Sequence, residues 1–207
     1  MRSIFNPDNF LWRWCGKLAD YVVLSCLWIL CSIPVITIGP ATIALYDAVA
    51  HCVRGPEGAT YRRFFRTFKR ELGRGILMTL LWAVICLLLN MGYQVLVQLA
   101  PESTTWTILS IVYFCSLFIP LGTACWAVAL ESRFTYSFGV LHKNAFIFTF
   151  AYLPHTFAIA ALLVVALNVC INLFPLVMLI PGLMVYLQSF FAEKVLKKYM
   201  PDEEDEE

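Results

Sequence analysis

Residues 32–41 read SIPVITIGPA: two prolines, a glycine and several β-branched residues set between two apolar runs. Pro34 and Pro40 each lack a backbone donor, and each pushes the residue before it out of the αR region, so no continuous helix is expected through this point. The break reads as a turn formed by Pro34, Thr37, Gly39 and Pro40, which makes residues 18–53 a re-entrant or full hairpin. In a bilayer the freed backbone groups of such a turn cannot face lipid. Thr37 and the Gly39 backbone are therefore expected to pack against other helices or to line a wet cavity.

Outward from this hairpin the chain is apolar throughout. With 60% hydrophobic residues, 14% charged residues and a mean hydropathy of +0.75, its 207 residues carry more apolar surface than a water-soluble core of that size can hide. An all-α polytopic membrane protein is expected, as one domain over residues 1–200 followed by an acidic, disordered tail at 201–207, DEEDEE with its preceding turn residue. The N-terminal MRSIFNPDNF has polar residues and a proline where a signal peptide needs its apolar core, so the chain is expected to stay whole.

Apolar runs near 18–36, 75–99, 104–130, 144–168 and 172–192 approach or exceed the roughly 20 residues that cross about 30 Å of hydrocarbon. Segment 41–53 is shorter, at about 20 Å of helix. The sequence leaves open whether it crosses fully, giving six spans, or whether 18–53 is a single broken span, giving five. Loop charge sets the orientation. Arg54 to Arg74 is strongly basic, Arg133, Lys143, Lys194, Lys197 and Lys198 follow, and the connections near Glu102 and Asn172 carry no Lys or Arg. By the positive-inside rule, the N-terminus, the basic loops and the C-terminus are expected on the cytoplasmic side.

An internal echo accompanies this order. Ile33-Pro34, Ile119-Pro120 and Ile180-Pro181 stand near the start of the returning helix of each expected hairpin, and Arg63-Phe64 with Thr67-Phe68 is matched by Arg133-Phe134 with Ser137-Phe138.

Residues 60–72 form an amphipathic pattern. Tyr61, Phe64, Phe65, Phe68 and Leu72 fall on one helical face and Arg62, Arg63, Arg66, Lys69 and Arg70 on the other, with Thr60 as N-cap. An interfacial helix is expected, touching the lipid bilayer or docking a cytoplasmic partner. Asp47 and His51, spaced i to i+4 with Arg54 close by, are expected to form an interfacial ion pair.

Polar residues inside spans mark candidate pathways. Asn90, Gln94 and Gln98 lie four apart on one helical face, Asn168 and Asn172 lie near an external end, and His155 follows Pro154 near mid-span. A polar vestibule competes here with interhelical amide bonding, and for His155 a proton relay competes with a bond to the carbonyl that Pro154 frees. No HExxH, GxSxG or phosphate-binding loop occurs, so no enzyme, no catalytic residue and no cofactor is expected. The eight cysteines have no metal-ligand spacing and are read as small hydrophobes, with no metal site. No basic excess points to nucleic acid.

The stretches LADYVVLSCLWILCSIPVITIGPATIALYDAV, RRFFRTFKRE, HKNAFIFTFAYLPHTF and LIPGLMVYLQSF resemble the YesL-like family of bacterial membrane proteins of unknown function. The residues carrying the pattern are Leu27, Trp28, Pro34, Thr37, Gly39, Pro40 and Tyr46, then Phe64, Phe65, Phe68 and Lys69. The resemblance implies a role accessory to carbohydrate uptake or sensing, with a sugar transporter subunit or membrane sensor as partner. It assigns nothing to His155 or to the cysteines. The alternative from the residues themselves is a small-solute transporter or channel, using the broken hairpin and the Asn90, Gln94 and Gln98 face.

Overall fold

Each proline in an apolar run removes one backbone donor, and in the computed structural model the helices divide where those donors are missing. The structure describes residues 10–53, 60–99, 103–172, 178–196 and 198–199. Among them it is all-helical. The elements are α1 (Phe10–Cys31), a 3₁₀ turn (Val35–Thr37), α2 (Ile38–Ala48) running into a π-helical turn (Val49–Val53), α3 (Thr60–Arg70), α4 (Leu72–Leu99), α5 (Thr104–Ser116), α6 (Phe118–Arg133), α7 (Phe138–Ala151), α8 (Leu153–Asn172) and α9 (Ile180–Leu196).

Three helical stretches are long and apolar enough to cross a membrane: Leu72–Leu99, Thr104–Arg133 and Leu153–Cys170. Thr104–Arg133 comprises α5 and α6, which meet at Leu117 three residues before Pro120. The apolar run expected as one helix over 144–168 is instead divided at Tyr152, whose backbone (φ −123°, ψ 46°) leaves the helical region. Pro154 explains the division, because it cannot donate to the carbonyl four residues earlier and its ring crowds that turn. The run expected at 172–192 is helical over Ile180–Leu196, with Pro181 in the first turn, where its missing donor costs nothing. At 14 and 17 residues, α7 and α9 reach about 21 and 26 Å, short of a 30 Å hydrocarbon layer.

Contacts group the chain into two compact units: Met1–Ile76 with Val165–Tyr186, and Leu77–Val164 with Leu187–Glu207. Since α4, α8 and α9 each contribute to both, no cut in the sequence separates them.

In the first unit, the quoted break closes with its own hydrogen bonds. The Ser32 amide donates to the Trp28 carbonyl (2.9 Å) and the Thr37 amide to Pro34 (2.8 Å). Thr37 Oγ1 lies 2.6 Å from the carbonyls of both Cys31 and Pro34, so one hydroxyl covers the end of α1. Across the hairpin the Trp28 indole donates to Thr42 Oγ1 (3.1 Å). Thr37 is thus held by the hairpin itself. Leu24, Ile43, Leu45, Tyr46, Val49 and Phe64 form the core, and Ser25 Oγ accepts from the Gly182 amide (2.9 Å). A Cβ on Gly75 would fall 2.6 Å from the Pro40 nitrogen, so glycine is what lets the start of α4 meet the α2 backbone.

The second unit is built on Trp126, Leu130, Leu141, Ile159 and Leu196. Trp126 Nε1 donates to Thr156 Oγ1 (2.9 Å), which in turn lies 3.1 Å from the carbonyls of Thr149 and Tyr152. A buried hydroxyl thus stands against two carbonyls beside the α7–α8 division.

Candidate functional site

The helix α3 presents three faces rather than two. Thr60, Phe64, Thr67 and Glu71 follow at i, i+4, i+7 and i+11 and are buried. Tyr61, Phe65 and Leu72 are exposed, with Phe68 half-buried beside them. Arg62, Arg66, Lys69 and Arg70 are exposed on the remaining arc. Thr60 is the first helical residue, one position inside its expected cap.

Arg63 leaves the basic set in which the amphipathic pattern places it. It lies between the buried and basic arcs, and its guanidinium turns inward to Asp47 near the end of α2. Arg63 Nε donates to Asp47 Oδ2 (2.9 Å) and Nη2 to Oδ1 (3.0 Å), while Thr67 Oγ1 donates to Oδ2 (2.6 Å). His51 Nδ1 sits 3.0 Å from Oδ1 and 3.1 Å from the Asp47 carbonyl. The i to i+4 spacing puts His51, in the π-helical turn, on the same face as Asp47. Arg54, expected to join the pair, lies outside the described residues. Asp47 is only 3% exposed and sits at a helix C-terminal end, where the macrodipole disfavours an anion. It also lies outside the three long apolar helices. Burial alone would raise its carboxyl pKa. The hydrogen bonds from His51, Arg63 and Thr67, with the guanidinium charge, outweigh that and hold it well below the usual carboxylate range.

Two contacts fix the direction of α3. Arg63 and Thr67 meet Asp47, and Gly75, eight residues after Thr67, meets Pro40, seven residues before Asp47. The segment from α3 into α4 therefore runs antiparallel along α2. Helical bonds persist through the intervening turn, from the Glu71 amide to Thr67 (2.9 Å) and from Gly75 to Glu71 (2.7 Å). The exposed cations stand beside α2 on a helix fixed at two points. Among them, Arg70 Nε donates to Glu71 (2.6 Å) and Arg62 Nε to the Tyr61 hydroxyl (3.2 Å).

In the second unit, Arg133 grips Glu193 with the same two nitrogens, Nε to Oε1 and Nη2 to Oε2, both at 2.9 Å. Sequence reasoning did not single out Asp47 as an anchor for Arg63, nor Glu193 for Arg133. The available signal was an acid near the end of each returning helix: Asp47, Glu131 and Glu193, all buried.

The residues expected to form a polar pathway lie on α4 and α8. Asn90, Gln94 and Gln98 are exposed on α4, and Gln94 Nε2 donates to Asn90 Oδ1 (2.9 Å). Asn90 borders a groove of about 190 Å³ whose other walls are chiefly apolar, among them Trp82, Cys86, Pro120 and Leu121. His155 is half-buried against the edges of Tyr152 and Phe191, at 6.1 and 6.3 Å between ring centres. Its ring neighbours are these two aromatic side chains. Asn172 Nδ2 bonds back to the Asn168 carbonyl (2.8 Å). Cys125 is buried, but Cys86 and Cys115 are exposed on long apolar helices, so the cysteines are not uniformly core residues. Among the described residues, no group of three or more His, Cys, Asp or Glu is placed to hold a metal ion.

The family model for a protein of unknown function, DUF624, matches residues 21–93. That match covers about a third of the chain, from Tyr21 on α1 through the hairpin and α3 to Tyr93 on α4, and it supports that family for this segment. No curated protein and no solved structure matches the chain.

Proposed function

We propose that this is a non-enzymatic accessory protein of the bacterial plasma membrane, related to the YesL-like family, that docks a carbohydrate transporter subunit or a membrane sensor. Its N-terminus, basic segments and C-terminus face the cytoplasm in this reading. The observation that carries the proposal is the fixed helix α3, which displays Arg62, Arg66 and Lys69 to solvent while Arg63 secures it to Asp47. A pre-oriented row of cations suits an acidic surface on a partner, because little further ordering is needed on binding. The link to carbohydrate uptake comes from the family resemblance alone.

Tagged protein purified from native membranes in mild detergent, followed by mass spectrometry, tests the reading. Specific recovery of a transporter subunit or sensor is expected, and the triple charge reversal Arg62→Glu, Arg66→Glu, Lys69→Glu should abolish recovery while membrane insertion persists. Recovery of the protein alone defeats the proposal and calls for flux assays in liposomes.

A further inference from the structure

We infer that the α1–α2 hairpin is not a membrane crossing, and that its apolar tip is seated shallowly in the acyl-chain boundary of the leaflet on the α3 side. This goes beyond the accessory reading and rests on it only for the side of the membrane on which α3 lies.

Charge limits the depth. From Pro40 to Asp47, α2 lies alongside α3 and the start of α4, where Arg62, Arg66, Lys69 and Arg70 are exposed and Arg74, half-buried, stands next to the Gly75 that meets Pro40. Exposed cations on a neighbouring helix exclude that level from the hydrocarbon, since a charge at the bilayer centre is costly and these side chains need water or headgroups. Only the chain beyond Pro40 remains to enter the apolar layer. From Pro40 to Val35 is five residues, about 8 Å at helical rise, comparable with the 5–10 Å depth of interfacial elements and far from a 30 Å crossing.

The tip is built for that depth. Ile33 is 72% exposed, Val35 69% and Ile36 50%, and no charged residue occurs between Asp20 and Asp47. Solvent offers no gain to three adjacent exposed aliphatic side chains, whereas acyl chains do. The polar atoms of the break are turned inward. Thr37 Oγ1 lies 2.6 Å from the Cys31 and Pro34 carbonyls, and the Ser32 and Thr37 amides bond within the turn. Lipid admits irregular backbone only when its polar groups are satisfied from within.

Site-directed labelling in a cysteine-free background tests the inference. Ile33→Cys and Ile36→Cys, each checked by gel filtration, are expected to lose reactivity toward a membrane-impermeant maleimide in intact cells and in inside-out vesicles, where Lys69→Cys labels from the cytoplasmic face. A bimane on either position, in proteoliposomes containing brominated phosphatidylcholines, should be quenched most by bromines near the ester end of the acyl chain. Labelling from outside intact cells, ready labelling in inside-out vesicles, or strongest quenching by bromines at the chain terminus would each overturn it. A diazirine amino acid at position 33 of the otherwise native chain gives an independent reading: phospholipid adducts are expected, and their absence counts against the proposal.

Discussion

Two arginine–carboxylate clamps, one in each compact unit, use the same side-on pair of guanidinium nitrogens and differ in everything around them. Arg63 reaches Asp47 across 16 residues, and the carboxylate takes further donors from Thr67 and His51. Arg133 reaches Glu193 across 60 residues. The first clamp joins helices adjacent in sequence and lies inside the family match, whereas the second lies outside it. The comparison teaches that a recurring sequence motif, Arg-Phe followed by Thr-Phe or Ser-Phe, can supply the same cation to a near or a distant acid. In the first unit the clamp also fixes the exposed face of α3. In the second it closes the end of α6 onto α9.

Removing the acids is the strongest way to break this comparison. Asp47→Ala strands Arg63, Thr67 and His51, and should cost about 3–5 kcal/mol, the usual penalty for removing one partner of a buried pair. Glu193→Ala strands Arg133 in the same way and should cost a loss of the same order. Apparent Tm in detergent reads both, and an unchanged Tm for either variant would mean that its clamp does not hold its unit together. Gly75→Ala comes next, since its Cβ would collide with the Pro40 backbone. It should lower Tm by the equivalent of about 1–3 kcal/mol, typical of overpacking, and an unchanged Tm would show that α3 and α2 are not in contact there. Thr67→Val removes one charge-assisted hydrogen bond, worth about 1.5–3 kcal/mol at most, and should leave Arg63 in place. Arg66→Ala, on the exposed arc, is expected to stay within about 0.5 kcal/mol of the parent while weakening partner recovery. A large Tm shift there would place Arg66 in the fold and not on a docking face.

Much of the helical order was legible because its causes are local. Pro34, Pro120, Pro154 and Pro181 lie at or near helix boundaries, although 144–168 was read as one run and is divided before Pro154 into α7 and α8. The amphipathic segment was legible as a helix. Its inner face was not, since hydropathy assigns Arg63 to the polar side and cannot register an acid held against it by another helix. The polar set Asn90, Gln94, Gln98 and His155 shows the converse limit. Spacing put the first three on one face, and the structure leaves that face exposed on α4, with His155 among aromatic rings.

The sequence by itself determined that the chain is apolar and helical, with long stretches able to cross a membrane and a turn at SIPVITIGPA, because hydropathy and missing proline donors act over a few residues. Tertiary structure decided that α3 stands along α2 on a buried Asp47–Arg63 pair, and that Arg133 finds Glu193. Those outcomes depend on which acid the fold brings within 3 Å of which guanidinium. Two charges can be buried only together, and local spacing cannot specify a partner that arrives from another helix.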